Sequence, residues 1–391
     1  MKIIVTILFY VSMAYYFYVR DKHFNRKILV FMLLKVLAML AFVYLYTHVY
    51  QGDLYQLKIL VNQWDTLRFH EIFSANDSRF ELEIQSKFTL FFQRFFAITY
   101  FIGFKNLYLT AFVLLVMSWV IILETYLILQ QEDESLSDTY LLAMCVPSIL
   151  FWTSSVCKEL LVLPMFCYVL VCVRAFYFSR KISVFHSVVF LISIWFLLGS
   201  RFFHLPFVGI IVWTFFAIKF ARKLLFWSFT VVFILIYVLG QKFVLPHLQP
   251  DILLGLIYDN YYQMHDLSGI GSRMEIDFQE KTWLGVLWAY LQALQGVFFV
   301  AFGNAFSSIV SVENLVLVVL LVFIFTFVKW RKLPTEIWAM VFFVLLVSGF
   351  IALVSPNYGS MSRYRVIYWF FVWWFVVYQI KSLPIIRRLL G

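Results

Sequence analysis

A few short stretches of this sequence carry residue types that together suit transfer chemistry on a phosphate ester. Asp53 sits in VYQGDLYQLK (49–58), Lys158 and Glu159 in PSILFWTSSVCKEL (147–160), Arg201 in LLGSRFFHLP (197–206), and Arg363 and Arg365 in SPNYGSMSRYR (355–365). Arg273 stands in a longer polar segment. A fixed carboxylate such as Asp53 can take the proton of an acceptor hydroxyl. Guanidinium forks and an ammonium group can hold phosphate oxygens and stabilise a phosphate leaving group. The same residues have plainer uses: Asp53 caps a loop helix equally well, and the cations suit interfacial snorkelling or loop ion pairs. Trp64, Tyr258, Tyr261 and Tyr262 suit either stacking on sugar faces or loop packing.

No motif calls for a cofactor or a metal. There is no Gly-rich phosphate loop, Walker lysine or HExxH pair, and the seven His are scattered. Cys145, Cys157, Cys167 and Cys172 form no metal-ligand spacing and read as small buried hydrophobes. A divalent ion remains compatible with the carboxylates, but nothing in the spacing demands one.

The elements that must position these residues are membrane helices. Of the 391 residues 63% are hydrophobic and 13% charged, with a mean hydropathy of +0.89. A soluble domain is about 45–50% apolar and about 25% charged. The excess falls in runs long enough for spans, which predicts an all-α polytopic membrane protein as one integral domain, 1–391. The net charge of +10 does not point to nucleic acid. Its basic residues collect in short loops: RDKHFNRK (20–27), RAFYFSRK (174–181), KFARK (219–223), KWRK (329–332) and the tail KSLPIIRRLLG (381–391). All five belong inside by the positive-inside rule.

Eleven spans satisfy that rule, at about 3–19, 28–47, 107–129, 139–154, 159–178, 183–199, 204–218, 225–245, 314–328, 336–354 and 364–380. The N-terminus is then outside and the C-terminus inside. The first run, Ile3 to Val19, reads as a retained span because it lacks a basic n-region beyond Lys2 and a small-residue cleavage site. The stretches 88–104 and 283–302 read as interfacial or re-entrant helices, since they carry Gln93, Arg94, Gln292 and Gln295. Two long outer segments, 48–106 and 246–313, remain. On this threading Asp53 and the turns bearing Lys158, Arg201 and Arg363 all meet the outer rim, against the usual charge bias.

GDLYQL (52–57), PSILFWTSSVCKEL, GSRFF (199–203) and NYGSMSRYR (357–365) in that order give the chain a familiar look. It resembles bacterial membrane proteins of cell-surface glycan assembly, namely GT-C-type glycosyltransferases using polyprenyl-phosphate sugars and Wzy-type O-antigen or capsule polymerases. The resemblance covers most of the chain by architecture and about thirty residues by motif. It implies a GT-C-like fold, a bacterial inner membrane, an active face in the periplasm, and polyprenyl-linked glycans as partners beside membrane lipids and other assembly proteins. It also implies that Asp53 is the catalytic base and that Lys158, Glu159, Arg201, Arg273, Arg363 and Arg365 bind substrate or phosphate. A second acid close to Asp53, frequent in GT-C enzymes, has its nearest counterpart at Asp65. A flippase or transporter of lipid-linked glycan, or a non-catalytic export subunit, is the alternative. Against a transporter stand the near absence of mid-span charge, with Lys35 and Glu124 the main exceptions, and the lack of an internal repeat.

Overall fold

A computed structural model describes residues 2–20, 24–49, 83–154, 156–177, 183–201, 281–297, 305–327 and 363–382, with isolated positions between them. Every element among the described residues is helical and none is a strand. The helices Arg26–His48, Leu107–Gln130, Glu159–Phe176 and Val310–Phe327 are long and apolar enough to cross a membrane. Shorter apolar helices cover Val184–Ser200, Trp283–Leu294 and Val366–Lys381. The chain divides into two compact units, Met1–Pro206 and Phe207–Gly391.

The first unit contains α1 (Lys2–Arg20), α2 (Arg26–Tyr44), α3 (Glu83–Ile102), α4 (Leu107–Gln130), α5 (Glu134–Met144), α6 (Pro147–Trp152), α7 (Glu159–Tyr177) and α8 (Val184–Arg201). Polar residues start several of them. Asn25 accepts from the Ile28 amide, Asn106 from the Tyr108 and Leu109 amides, and Asp133 from the Ser135 amide. Each satisfies amide donors that the first helical turn leaves orphaned. At its far end α2 widens into a π-helical turn, Leu45–Val49.

Helix directions follow from polar pairs between distant segments. Asn25, before α2, donates to the Tyr126 hydroxyl near the end of α4 at 3.4 Å, and Lys27 reaches Asp138 at 2.7 Å. Arg174, near the end of α7, meets Glu132 at 3.3 Å. The segments around 20–27, 130–138 and 174–186 therefore share one end of the unit. That end collects Arg20, Arg26, Lys27 and Arg174, so two of the basic loops recognised in the sequence lie together.

Helices α4 and α7 are buried along most of their length, whereas α2 keeps a wide outward face. In water the exposed Leu29, Leu33, Leu37 and Leu40 of α2 would be unfavourable; in hydrocarbon they are not. Association in that setting depends on close packing and internal polar pairs instead. One such contact fixes the α3–α4 turn. Phe104 and Lys105 take left-handed φ values of 54° and 61°, and a Cβ on Gly103 would stand 2.6 Å from the Thr110 amide nitrogen. Only glycine fits there.

Helix α3 lies obliquely across the unit. Phe91 packs on Trp195 and Phe196 at ring distances of 5.1 and 5.7 Å, and Phe95 on Phe196 at 5.2 Å, all in the last turns of α8. At its other end Gly103 abuts Thr110 at the start of α4. The end of α8 and the start of α4 lie on the same side, because Glu124 late in α4 approaches His186 early in α8. The middle of α3 thus packs on α8, and the turn that follows it meets the start of α4.

The expected span 139–154 is interrupted. Helix α5 ends at Met144 and α6 begins at Pro147, which occupies the first helical turn, where a missing N–H is tolerated. The break turns α6 against the flank of α2.

In the second unit the principal helices are α9 (Trp283–Val297), α10 (Ala305–Phe327) and α11 (Val366–Ser382). The Thr282 hydroxyl accepts from the Gly285 amide at the start of α9. Tyr290 of α9 donates to the Leu345 carbonyl, and α11 packs Phe371 on Phe343 at 5.9 Å.

Candidate functional site

The residues nominated by the sequence fall into three groups. Asp53, Arg273 and Trp64 lie outside the described residues. Arg201 ends α8, and its side chain is likewise outside the description. Lys158 and Glu159 belong to the first unit, Arg363 and Arg365 to the second.

Lys158 and Glu159 follow α6 in a turn that is more enclosed than the sequence led one to expect. The sequence put this turn at the outer boundary. In the structure Thr153, Ser154, Val156 and Glu159 are all buried, Glu159 at 2% exposure, while Lys158 is half-buried. Trp152 packs edge-on against the stacked rings of Phe42 in α2 and Tyr46 in the π-helical turn, and Lys35 reaches the next residue from further down α2. The interruption at Pro147 sets α6 against α2, and the turn after α6 is enclosed there.

Lys35 is the centre of this arrangement. Its ammonium donates to the Thr153 carbonyl and, at 3.1 Å, to the Thr153 hydroxyl. Lys35 is fully buried, with the Phe31 ring 5.9 Å below the charge. The Thr153 hydroxyl donates in turn to the Ile149 carbonyl at 2.6 Å. A cation at the carbonyl end of α6 is favourably placed for the helix dipole, though a helix this short contributes little. Downstream, the Lys158 carbonyl accepts from the Leu161 and Val162 amides and so begins α7. Glu159 in that first turn has the charge a helix start favours. Lys35 thereby anchors the turn that carries Lys158 and Glu159.

A second buried cluster lies at the basic end. The Glu124 carboxylate, wholly enclosed, accepts from the Tyr16 hydroxyl at 2.6 Å and from Arg20 Nε and Nη2 at 2.9 and 3.0 Å. His186 Nδ1 stands 3.7 Å from the same carboxylate and 3.0 Å from the Tyr168 hydroxyl. Arg20 makes the two-pronged contact that suits a planar carboxylate. Four helices, α1, α4, α7 and α8, converge on this one acid.

In the second unit the Arg365 side chain is completely buried just before α11. Its Nη1 donates to Asn314 Oδ1 of α10 at 3.1 Å, and its guanidinium lies 4.8 Å from the Trp369 ring centroid. Glu313, nearly as buried, contributes opposite charge. Arg363, two residues earlier, is half-buried; it bonds the Tyr364 hydroxyl at 2.8 Å and covers the Tyr364 ring at 4.8 Å. Arg365 is therefore committed to α10, and Arg363 is the more accessible of the two.

The tyrosines nominated for sugar stacking separate similarly. The Tyr261 hydroxyl accepts from the Ile276 amide and donates to the Ile276 carbonyl, and the ring is 2% exposed. Tyr262 is exposed, and Tyr258 has Lys281 5.3 Å from its ring. Among the described residues no group of three His, Cys, Asp or Glu is arranged to hold a metal ion.

Asn314, Glu313, Thr153, Tyr16 and Arg20 did not stand out in the sequence. Their partners are more than fifty residues away, and no local spacing reveals such pairs. No family model, curated protein or solved structure matches this chain.

Proposed function

We propose that this protein is a membrane-embedded glycosyltransferase or polymerase of cell-surface polysaccharide. In this reading it moves sugars or glycan repeat units from a polyprenyl-(di)phosphate carrier at the periplasmic face of a bacterial inner membrane. The reading includes the full threading of eleven spans, N-terminus out and C-terminus in, with 88–104 and 283–302 interfacial, and a GT-C-like arrangement. Asp53 is the base toward the acceptor hydroxyl. Lys158, Arg201, Arg363 and, less directly, Arg273 hold phosphate oxygens as the leaving group departs. Glu159 sets the Lys158 turn, and Arg365 sets the Arg363 turn through Asn314.

The observation that carries the reading is the second-unit pair: a buried, anchored Arg365 that fixes the turn presenting a second arginine, Arg363, at the head of an apolar helix. Enclosing a guanidinium in an apolar bundle is costly, and residues of that kind in membrane helices ordinarily serve a pathway or a site. The test is glycan length on the lipid carrier or cell surface with Asp53→Asn, Arg201→Ala and Arg363→Ala. Shortened or absent glycan at normal protein level is expected. Normal glycan from all three variants rejects the enzyme.

Transport of a lipid-linked glycan is the second reading, favoured by the buried Lys35 and Glu124 inside apolar helices. It differs in outcome, because loss of a flippase strands lipid-linked units on the inner leaflet. A non-catalytic export subunit would tolerate all three substitutions.

A further inference from the structure

Outside the groups assigned to the transferase reading, the basic end of the first unit holds a cavity of about 180 Å³. It is lined by Arg20, Glu124, Leu127, Gln130, Gln131 and His186, and so opens between α1, α4 and α8. The space is well above the roughly 10–15 Å³ that admits a single water.

The chemistry of the wall is unequal. Glu124 is already engaged by the Tyr16 hydroxyl and by Nε and Nη2 of Arg20. Glu132, the nearest other acid on the segment after α4, is paired with Arg174. Arg20, about a quarter exposed, has its Nη1 amine outside those bonds, and Gln130 and Gln131 bring amide donors. With His186 Nδ1 turned toward Tyr168 and Glu124, its Nε2 is the ring nitrogen left for the cavity, where it donates when the ring is protonated. The acid is spent and donors remain, which suits an oxyanion. Lys27 and Arg174 at the same end are held by Asp138 and Glu132 and add little net charge.

What lies beside the cavity identifies the source of the oxyanion. Tyr16 stacks on Phe185 at 6.3 Å, so the end of α1 meets the start of α8 there. Both turn large apolar residues outward there: Tyr15, Tyr18 and Val19 on α1, Val184, Phe185 and Val188 on α8. A free phosphate would use none of that surface; a lipid would use all of it. Basic pockets between membrane helices are known receptors for anionic headgroups.

We propose that this cavity binds the phosphate of an anionic phospholipid, with the acyl chains along the outward faces of α1 and α8. The phosphate takes Arg20 Nη1, the amides of Gln130 and Gln131, and His186. A phospholipid bound there braces α1 against α4 and α8. This assignment requires the membrane setting but not the transferase reading.

The experiment uses the full-length protein in bilayer nanodiscs of mixed phosphatidylglycerol and phosphatidylcholine, with retained lipids counted by native mass spectrometry. Phosphatidylglycerol should be enriched about fivefold over its bulk ratio, the preference that one well-placed cation gives at a membrane surface. Gln131→Glu places a negative charge in the cavity without touching the Arg20–Glu124 pair, and should abolish the enrichment while leaving unfolding in denaturing detergent unchanged. His186→Ala should reduce it, and Arg26→Gln should preserve it. Equal retention of the two lipids by the native protein overturns the proposal, as does enrichment that survives Gln131→Glu. Inorganic phosphate is the second probe: if it binds the delipidated protein in micelles as tightly as phosphatidylglycerol does, the lipid assignment is wrong.

Discussion

Lys35 and Thr153, 118 residues apart in the chain, meet where neither is exposed: the ammonium donates to both the carbonyl and the hydroxyl of the threonine. The contact joins the flank of α2 to the end of α6, and through α6 to the turn bearing Lys158 and Glu159. A buried cation held by two neutral oxygens depends on those oxygens, and they depend on it. Without Lys35, the Thr153 carbonyl loses this donor in an apolar interior, while the hydroxyl keeps its bond to Ile149.

Replacing Lys35→Met should therefore loosen this turn more than its volume change would suggest. The orphaned Thr153 carbonyl costs about 1–3 kcal/mol, partly offset by no longer enclosing a charge. The structural readout is Cys157, half-buried four residues after Thr153. In a background with the other three cysteines replaced, alkylation of Cys157 should quicken in Lys35→Met. An unchanged rate would mean that Lys35 does not hold the turn.

At the basic end, the two partners of the Arg20–Glu124 pair should behave non-additively. Arg20→Met strands the fully enclosed Glu124 carboxylate and should cost about 3 kcal/mol, near the low end for a broken buried pair because Arg20 is partly exposed. Adding Glu124→Gln removes the stranded charge and should restore part of that loss. Unfolding midpoints in mixed denaturing and mild detergent measure both. A double variant as unstable as the sum of the singles would show that the pair contributes little.

Gly103→Ala should destabilise the first unit by about 1–3 kcal/mol, the usual range for overpacking. The added Cβ would lie 2.6 Å from both the amide nitrogen and the hydroxyl oxygen of Thr110. Since one of those atoms is backbone, trimming Thr110→Ala should not rescue the variant. Folded yield on size-exclusion chromatography in mild detergent decides this.

The two arginines before α11 should separate stability from activity. Arg365→Met removes the Asn314 bond and the cover over Trp369, and should lower the thermal midpoint by several degrees. Arg365→Lys should not recover it, because an ammonium lacks the planar fork and its stacking face. Arg363→Ala should leave the midpoint nearly unchanged and shorten the glycan. If both variants lower only the midpoint, the phosphate role assigned to Arg363 is wrong.

Class was the legible part of this protein. Apolar runs of span length, few charges and basic loops declare membrane helices without reference to any partner, because the bilayer forces every backbone polar group to be satisfied within its own helix. Apolar helices at 26–48, 107–130, 159–176 and 310–327 appear where hydropathy located spans, and Lys27 and Arg174, from two of the basic loops, both reach the segment after α4. Lys35 and Glu124 were visible as charges out of place. Their partners were not. Nothing within a few residues of Glu124 announces Arg20, Tyr16 or His186, and nothing near Arg365 announces Asn314. The same holds for the turn at 153–159, whose burial depends on how Pro147 redirects α6 against α2. Local pattern, in short, determined which segments are helices and that they are membrane helices, since both follow from composition and backbone hydrogen bonding. Only the tertiary structure decided which buried charges face one another, because inside a bundle each must find its counter-group on another helix.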